Sequence, residues 1–270
     1  MGTPRGYMDL VVIGTITLHS IIKTTLKQGV TNEVTEYTEK FSGSTLHVAL
    51  NASILGNNVG VIAPVGRDAV GLMDILKRYK VDYSHIVLSA KKSPNYMEVI
   101  TSSRHYILYY EGSAQDLLVE SIKKEYIRKA KAVHVCFPDI QVTEYIVDTA
   151  KKEGVLTSVD TECADTDADI VFCEKESGYS GIEIVTDFEH GVTCDGDKIP
   201  VFKNDIYHEK GVKDAFIAGF LTRYIKSEHV KNAALYGACS AYLSSQTEQK
   251  VLTCTKKEVD SVFEQKIKSF

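Results

Sequence analysis

Ala132-Val-His-Val-Cys136, Val142-Thr-Glu-Tyr-Ile-Val-Asp-Thr-Ala-Lys-Lys-Glu153 and Val155-Leu-Thr-Ser-Val-Asp160 follow one another with short joints between them. The outer two are brief apolar runs, as strands buried in a parallel sheet are, and the middle one has the length of a helix. Ala168 to Phe172 and Ile182 to Thr186 read as two more strands. Strands alternating with helices imply right-handed crossovers and a mostly parallel sheet covered on both faces, which is a three-layer α/β fold.

Working toward the amino terminus, Asp9-Leu-Val-Val-Ile-Gly14 is β-branched, closed by glycine, and predicts the strand that opens the sheet. Polar residues alternate with Val, Ile and Thr from Thr15 to Phe41, and Tyr96 to Glu111 alternates again. Both patterns predict exposed antiparallel strands, forming a small β lid within about residues 15–41 and 94–112. Between them, Ser44 to Leu55 is a helix that ends at Gly56, Val59 to Ala63 is a strand, and Asp68 is the expected N-cap of a helix carrying Val70, Met73, Leu76 and Tyr79 inward. Another helix is expected from Ala114 to Lys129.

Toward the carboxyl terminus, Gly191 to Val201 reads as a hairpin centred on Asp195-Gly196. Phe216, Ile217, Phe220, Leu221, Tyr224 and Ile225 form the wide apolar stripe of a core helix. Asn232 to Leu243 continues in the same manner, and Thr255-Lys-Lys-Glu258 is a capping box opening a last helix.

The 270 residues are 44% hydrophobic, enough for one large core, so a single domain over residues 1–270 is expected. A formal net charge of −5 offers no general attraction for a polyanion, and nucleic acid is not an expected partner. Apolar runs such as Leu10 to Ile13 are far shorter than a membrane span, and the first nine residues do not read as a signal peptide. No membrane partner is expected, and the expected location is the cytoplasm. The six cysteines form no Cys-x-x-Cys pair, which argues against a zinc ribbon or a redox dithiol. Gly14 is not followed by a Gly-x-Gly-x-x-Gly loop, which weakens a dinucleotide-linked reading.

The chemistry concentrates in Gly211-Val-Lys-Asp214-Ala-Phe-Ile-Ala-Gly-Phe220, where glycine leads directly into an amphipathic helix with an acid in its first turn. The amides of a helix start lack intrahelical partners and, with the helix dipole, form a site for an anion. Asp214 could accept a proton from an attacking hydroxyl beside that anion; equally, an acid in a first turn can act as a cap alone.

This stretch resembles the Gly-Ala-Gly-Asp motif of the ribokinase-like, or PfkB, family of carbohydrate and nucleoside kinases. The likeness runs in order through most of the chain. Ser42-Gly43-Ser-Thr-Leu-His47 and the helix after it are similar to the family's Gly-Gly-x-x-x-Asn signature, and Val65-Gly-Arg-Asp-Ala-Val-Gly71 matches Val-Gly-x-Asp-x-x-Gly. The resemblance implies a ribokinase-like fold and an ATP-dependent, magnesium-assisted kinase acting on a hydroxyl of a small sugar, polyol or nucleoside. It implies Asp214 as catalytic base and Gly211, Val212 and Lys213 as the anion hole, with Lys213 in place of a motif glycine, where it adds charge or crowds the hole. His19 and His47 align with the family's substrate-holding aspartate and asparagine, so they, Gly43 and, from the lid, Arg104 are the expected substrate contacts. Glu176 in Cys173-Glu-Lys-Glu176 aligns with the glutamate that organises magnesium. Thr186 and Gly191 remain of a nucleotide loop in which Phe188 replaces a glycine. Lid strands of this family can clasp a second subunit, so a homodimer is a further expectation. The altered positions His47, Cys173, Phe188 and Lys213 leave open a non-catalytic member that binds a nucleotide or sugar as a regulator.

Overall fold

The computed structural model describes residues 8–27, 29–176, 178–187, 191–194, 196–199, 202, 211–247, 251 and 254–268. The chain opens with β1 (Met8–Gly14), makes β2 (Thr17–Thr24) and β3 (Val34–Ser42), and enters α1 (Ser44–Ile54). It continues through β4 (Val59–Ile62), β5 (Pro64–Val65), α2 (Leu72–Arg78), β6 (Val87–Leu88), β7 (Asn95–Ile100) and β8 (His105–Tyr110). A run of alternating elements follows: α3 (Lys124–Ile127), β9 (Ala130–Cys136), α4 (Ile140–Lys152), β10 (Leu156–Asp160), β11 (Ile170–Cys173) and β12 (Ile182–Asp187). The hairpin β13 (Gly191–Cys194) and β14 (Asp197–Ile199) precedes α5 (Val212–Ser227), α6 (Val230–Ser244) and α7 (Lys256–Ile267).

Eight strands form the main sheet in the order β14-β13-β12-β11-β10-β9-β1-β4. From β4 to β12 every neighbouring pair is parallel, and the hairpin adds an antiparallel edge. The two-residue period of each strand divides its side chains between two cores. Leu10 and Val12 of β1, Ile170 and Phe172 of β11, α1, α2, α5, α6 and α7 share one core. Val11, Ile13, Val133, Val135 and Val171 face the other, with α4 and the turns around α3. The three-layer architecture follows.

On the first face, Phe216 and Phe220 of α5 are fully buried, and the Phe220 ring meets Phe172 edge-on at 5.5 Å. Aromatic pairs favour that geometry. The capping box at Thr255 and Glu258 is formed.

Two expected helices take another form. The helix expected from Asp68 begins only at Leu72, because Gly71 lies in the left-handed region at φ 87°. Asp68 instead accepts from the Ser93 amide at 2.7 Å, and Val70 is 85% exposed rather than inward. The helix expected over Ala114 to Lys129 is two 3₁₀ turns, Gly112–Asp116 and Val119–Ser121, followed by the single turn of α3. Leu117 and Ile122 are both buried. Five residues apart, they would point about 140° from each other on one continuous helix, so the chain bends to bury both.

The lid is a four-stranded sheet, β3-β2-β7-β8. Its two hairpins are antiparallel as expected, but its central pair, β2 with β7, is parallel. The part of the expected hairpin at Asp195, and Phe188 of the expected nucleotide loop, lie outside the described residues.

Candidate active site

Two helices start at one cavity. Gly211 has φ 90° and ψ −3°, a left-handed conformation that glycine adopts without Cβ strain, and it turns the chain into α5. The first intrahelical bond of α5 runs from Ala215 N to Gly211 O at 3.0 Å, so the amides of Val212, Lys213 and Asp214 have no acceptor within the helix. In α1 the first such bond is His47 N to Gly43 O, also 3.0 Å, leaving the amides of Ser44 to Leu46 in the same condition. Both starts line a cavity of about 360 Å³, with Gly43, Ser44 and His47 from one and Gly211 and Asp214 from the other. Their dipoles add, and both favour negative charge.

Asp214 is 7% exposed, and its Oδ2 accepts from His47 Nδ1 at 2.9 Å. Burial pushes the Asp214 pKa up, but the hydrogen bond and charge of His47, with smaller help from Ser44 and Lys213, outweigh it and hold the carboxyl below its ordinary value. The site therefore holds an ionised acid next to two anion-seeking helix ends, a placement suited to proton transfer beside a phosphate.

The lid roofs the cavity with His19, Tyr96, Glu98 and Tyr109. His19 Nε2 lies 2.7 Å from Glu98 Oε1, and His105 Nε2 lies 3.1 Å from the other oxygen of Glu98. The His19 ring sits edge-on to Tyr96 at 5.6 Å. Sequence reasoning did not single out Glu98, Tyr96 or Tyr109. The alternation of β7 does carry a signal, because it places Tyr96 and Glu98 on one face, and the register sets His19 opposite Tyr96.

Of the other expected residues, Val212 is buried in the core and offers only its amide. Lys213 neither enters nor crowds the cavity. Its ammonium pairs with Asp160 Oδ1 at 2.8 Å and Glu162 Oε1 at 2.5 Å, at the end of β10. Burial works against that ammonium, yet the charges and hydrogen bonds of Asp160 and Glu162 prevail and raise its pKa. Burial also raises the Asp160 pKa, the lysine offsetting it only in part.

Thr186 Oγ1 donates to the Cys173 carbonyl at 3.3 Å, and Gly191 begins β13. Arg104 is exposed in the turn after β7, where it donates to Tyr106 Oη at 3.3 Å rather than lining the cavity. Glu176 is exposed just beyond β11. Cys173 gives its thiol proton toward Glu183, and burial first, then that contact, pushes the thiol up to about 12. A neutral thiol is no magnesium ligand, whereas an exposed carboxylate fits an ion that keeps most of its water. Among the described residues no group of three or more His, Cys, Asp or Glu side chains forms a metal cluster, and no helix is long and apolar enough to cross a membrane. Two roomier hollows, of about 620 and 580 Å³, open elsewhere onto surface charges such as Lys131 and Glu228, or Lys77 and Lys80. Neither brings a buried acid to a helix start.

Comparison with known proteins gives the family and the fold. Residues 8–174 match the family described as pfkB family carbohydrate kinase. An ATP-dependent ribose-1-phosphate kinase from Halopiger xanaduensis is 27% identical over 234 residues, covering 74% of this chain and 78% of the relative. The structure of Arabidopsis thaliana ribokinase complexed with ribose and ATP superposes with a TM-score of 0.80 at 16% identity, covering 95% of this chain and 99% of the other. A Burkholderia thailandensis nucleoside kinase in complex with inosine gives 0.73 at 17% identity, covering 96% and 98%. The fold is the ribokinase-like one.

Proposed function

The chain belongs to the pfkB family of carbohydrate kinases, and from that premise we propose that it transfers the γ-phosphoryl group of ATP to a hydroxyl of a small sugar, polyol or nucleoside. The observation that carries this reading is the meeting of the Asp214 carboxylate with the starts of α1 and α5 in one cavity beneath the lid. The acceptor occupies that cavity, against His19, Gly43 and His47, and Asp214 drives loss of its proton. The transferring phosphate lies at the amides of Gly211 to Asp214, where donors fixed in advance stabilise charge as it develops. The nucleotide extends toward Thr186 and Gly191. Glu176 would hold the magnesium ion, through water, and the ion would offset phosphate charge. The lid limits water at the reacting atoms and so limits ATP hydrolysis, with Arg104 reaching the substrate only on closure. The reading extends to one domain over residues 1–270, working in the cytoplasm, with the exposed apolar lid strands pairing two copies.

A panel of pentoses, hexoses, nucleosides and ribose 1-phosphate with Mg-ATP tests it, scored by ADP release and by the phosphorylated product. At least one acceptor should be phosphorylated, and Asp214→Asn should lower turnover on the order of 10²–10⁴-fold while nucleotide still binds. One observation favours a non-catalytic regulatory member instead: His47 already engages the acid. Nucleotide or sugar binding without product from any acceptor would select that reading.

A further inference from the structure

The lid hangs an acid over the cavity. Glu98 of β7 is 7% exposed, and its carboxylate is met by imidazoles from two other strands: His19 Nε2 of β2 lies 2.7 Å from Oε1, and His105 Nε2 of β8 lies 3.1 Å from Oε2. Three neighbouring lid strands thus converge on one side chain. The alternation of β7 puts Glu98 on the same face as Tyr96, and the register sets Tyr109 of β8 opposite Tyr96. That face is the roof, since His19, Tyr96, Glu98 and Tyr109 all line the cavity. Taking a carboxylate out of water is costly, and pairing it there seldom adds net stability, so bracing the lid is a poor account of an acid in this place. A carboxylate has about four acceptor directions, and two imidazoles do not exhaust them.

We propose that Glu98 grips the acceptor and determines specificity: its carboxylate accepts from two adjacent hydroxyls of the acceptor, neither of which is the one that reacts. The inference rests on the kinase reading above and narrows its acceptor class. Asp214 lines the same cavity from the first turn of α5 and takes the reacting hydroxyl. An acceptor that reaches both acids needs a reacting hydroxyl for Asp214 and a separate vicinal pair for Glu98. Hydroxyls supply the donors that a carboxylate lacks, whereas a phosphate or carboxylate at that end of the acceptor would set acceptor against acceptor. Tyr96 and Tyr109 add apolar surface beside the acid, suited to the C–H face of a sugar ring.

The placement has a second consequence. Glu98 belongs to the lid and Asp214 to the main body, so an acceptor bonded to both ties one to the other. An acceptor without the vicinal pair loses that tie together with the bonds.

The test crosses substrate with residue. For the acceptor found by the panel, deoxy analogues missing one non-reacting hydroxyl at a time are assayed with the wild type and with Glu98→Ala. The wild type should lose at least about tenfold in kcat/KM for the two analogues that each lack one hydroxyl of a vicinal pair, because a buried acid then goes unmet. Glu98→Ala should lose about tenfold or more for the parent acceptor, with KM for ATP little changed, and should treat the parent and those two analogues alike within about threefold. A variant that slows the parent and the analogues by one common factor, keeping the wild-type discrimination, overturns the proposal and leaves Glu98 a brace of the lid. A wild type indifferent to every deoxy analogue also overturns it, a result that needs no variant to fold. A wild type that phosphorylates no acceptor overturns the kinase reading by itself. The grip is then judged by calorimetry with the same polyols and nucleosides: binding weakened about tenfold in Glu98→Ala upholds it, and equal binding, or none to the wild type, overturns it.

Discussion

Lys213 illustrates how one side chain can be decided by its neighbours rather than by its motif. It stands where the family motif it resembles has glycine, yet its ammonium is held by Asp160, 2% exposed, and Glu162. Removing one partner of a buried ion pair leaves the other charge uncompensated. Lys213→Met should therefore destabilise the protein by about 3 kcal/mol at pH 7, toward the low end for buried pairs because the lysine keeps a solvent-facing edge. Urea unfolding measures it. The cost should shrink as pH falls, because Asp160, whose pKa burial already raises, protonates and no longer needs the lysine. The place of Asp214 in the first turn of α5 was legible in the sequence, because Gly211 and the apolar stripe after it are local signals of a helix start. The direction of Lys213 was not, since Asp160 lies 53 positions away and only the fold brings it within 2.8 Å. The pairing of His47 with Asp214, 167 positions apart, escaped for the same reason.

At the level of elements, β8 is an edge strand on which every residue is exposed, including Ile107 at 55% and Leu108 at 51%. Such a strand offers unpaired backbone groups together with apolar surface, a combination that pairs with another chain. Two copies should join through the lid, and sedimentation should show a dimer for the wild type. Leu108→Lys should yield a monomer at the same concentration, because a charge on the edge disfavours pairing. A wild-type monomer, or a Leu108→Lys dimer, would remove the lid from the interface. The main-sheet strands were readable because alternation and apolar runs are local signals. α2 and the segment after Gly112 were misread because periodicity assumes an unbroken helix, and Gly71 and the twin burial of Leu117 and Ile122 break it. The parallel joint between β2 and β7 has no local signal, for either hairpin alone would look the same.

For the whole molecule, acid stability should be governed by a group outside the cavity. His134 in β9 is fully buried; its Nδ1 meets Ser158 Oγ at 2.9 Å, and among the described residues Nε2 has no hydrogen-bond partner. Burial, with a smaller contribution from Lys213 against the opposing charge of Asp214, pushes its pKa down to about 3 from an ordinary 6.5. Between those values the unfolded chain binds a proton that the fold refuses. The stability is thus complete above pH 6.5 and is lost progressively as pH falls toward 3. Asp214, with a depressed pKa, adds a loss that begins only below its ordinary 3.8. Unfolding free energies from pH 7.5 down to 4 should therefore decline with a slope approaching one proton. His134→Val should abolish most of that slope, at some cost in stability at neutral pH from the unpaired Ser158. An unchanged slope in the variant would assign the acid sensitivity elsewhere.

The joint of β2 with β7 also bears on how the molecule comes into being. During synthesis the first hairpin leaves the ribosome well before its companion, and it has no neighbour on one side until α1, β4 and α2 have followed. Pairings between distant stretches close slowly. The roof over the cavity is thus assembled from two separately made pieces, and the waiting edge of β2 is the surface on which a nascent chain would need protection.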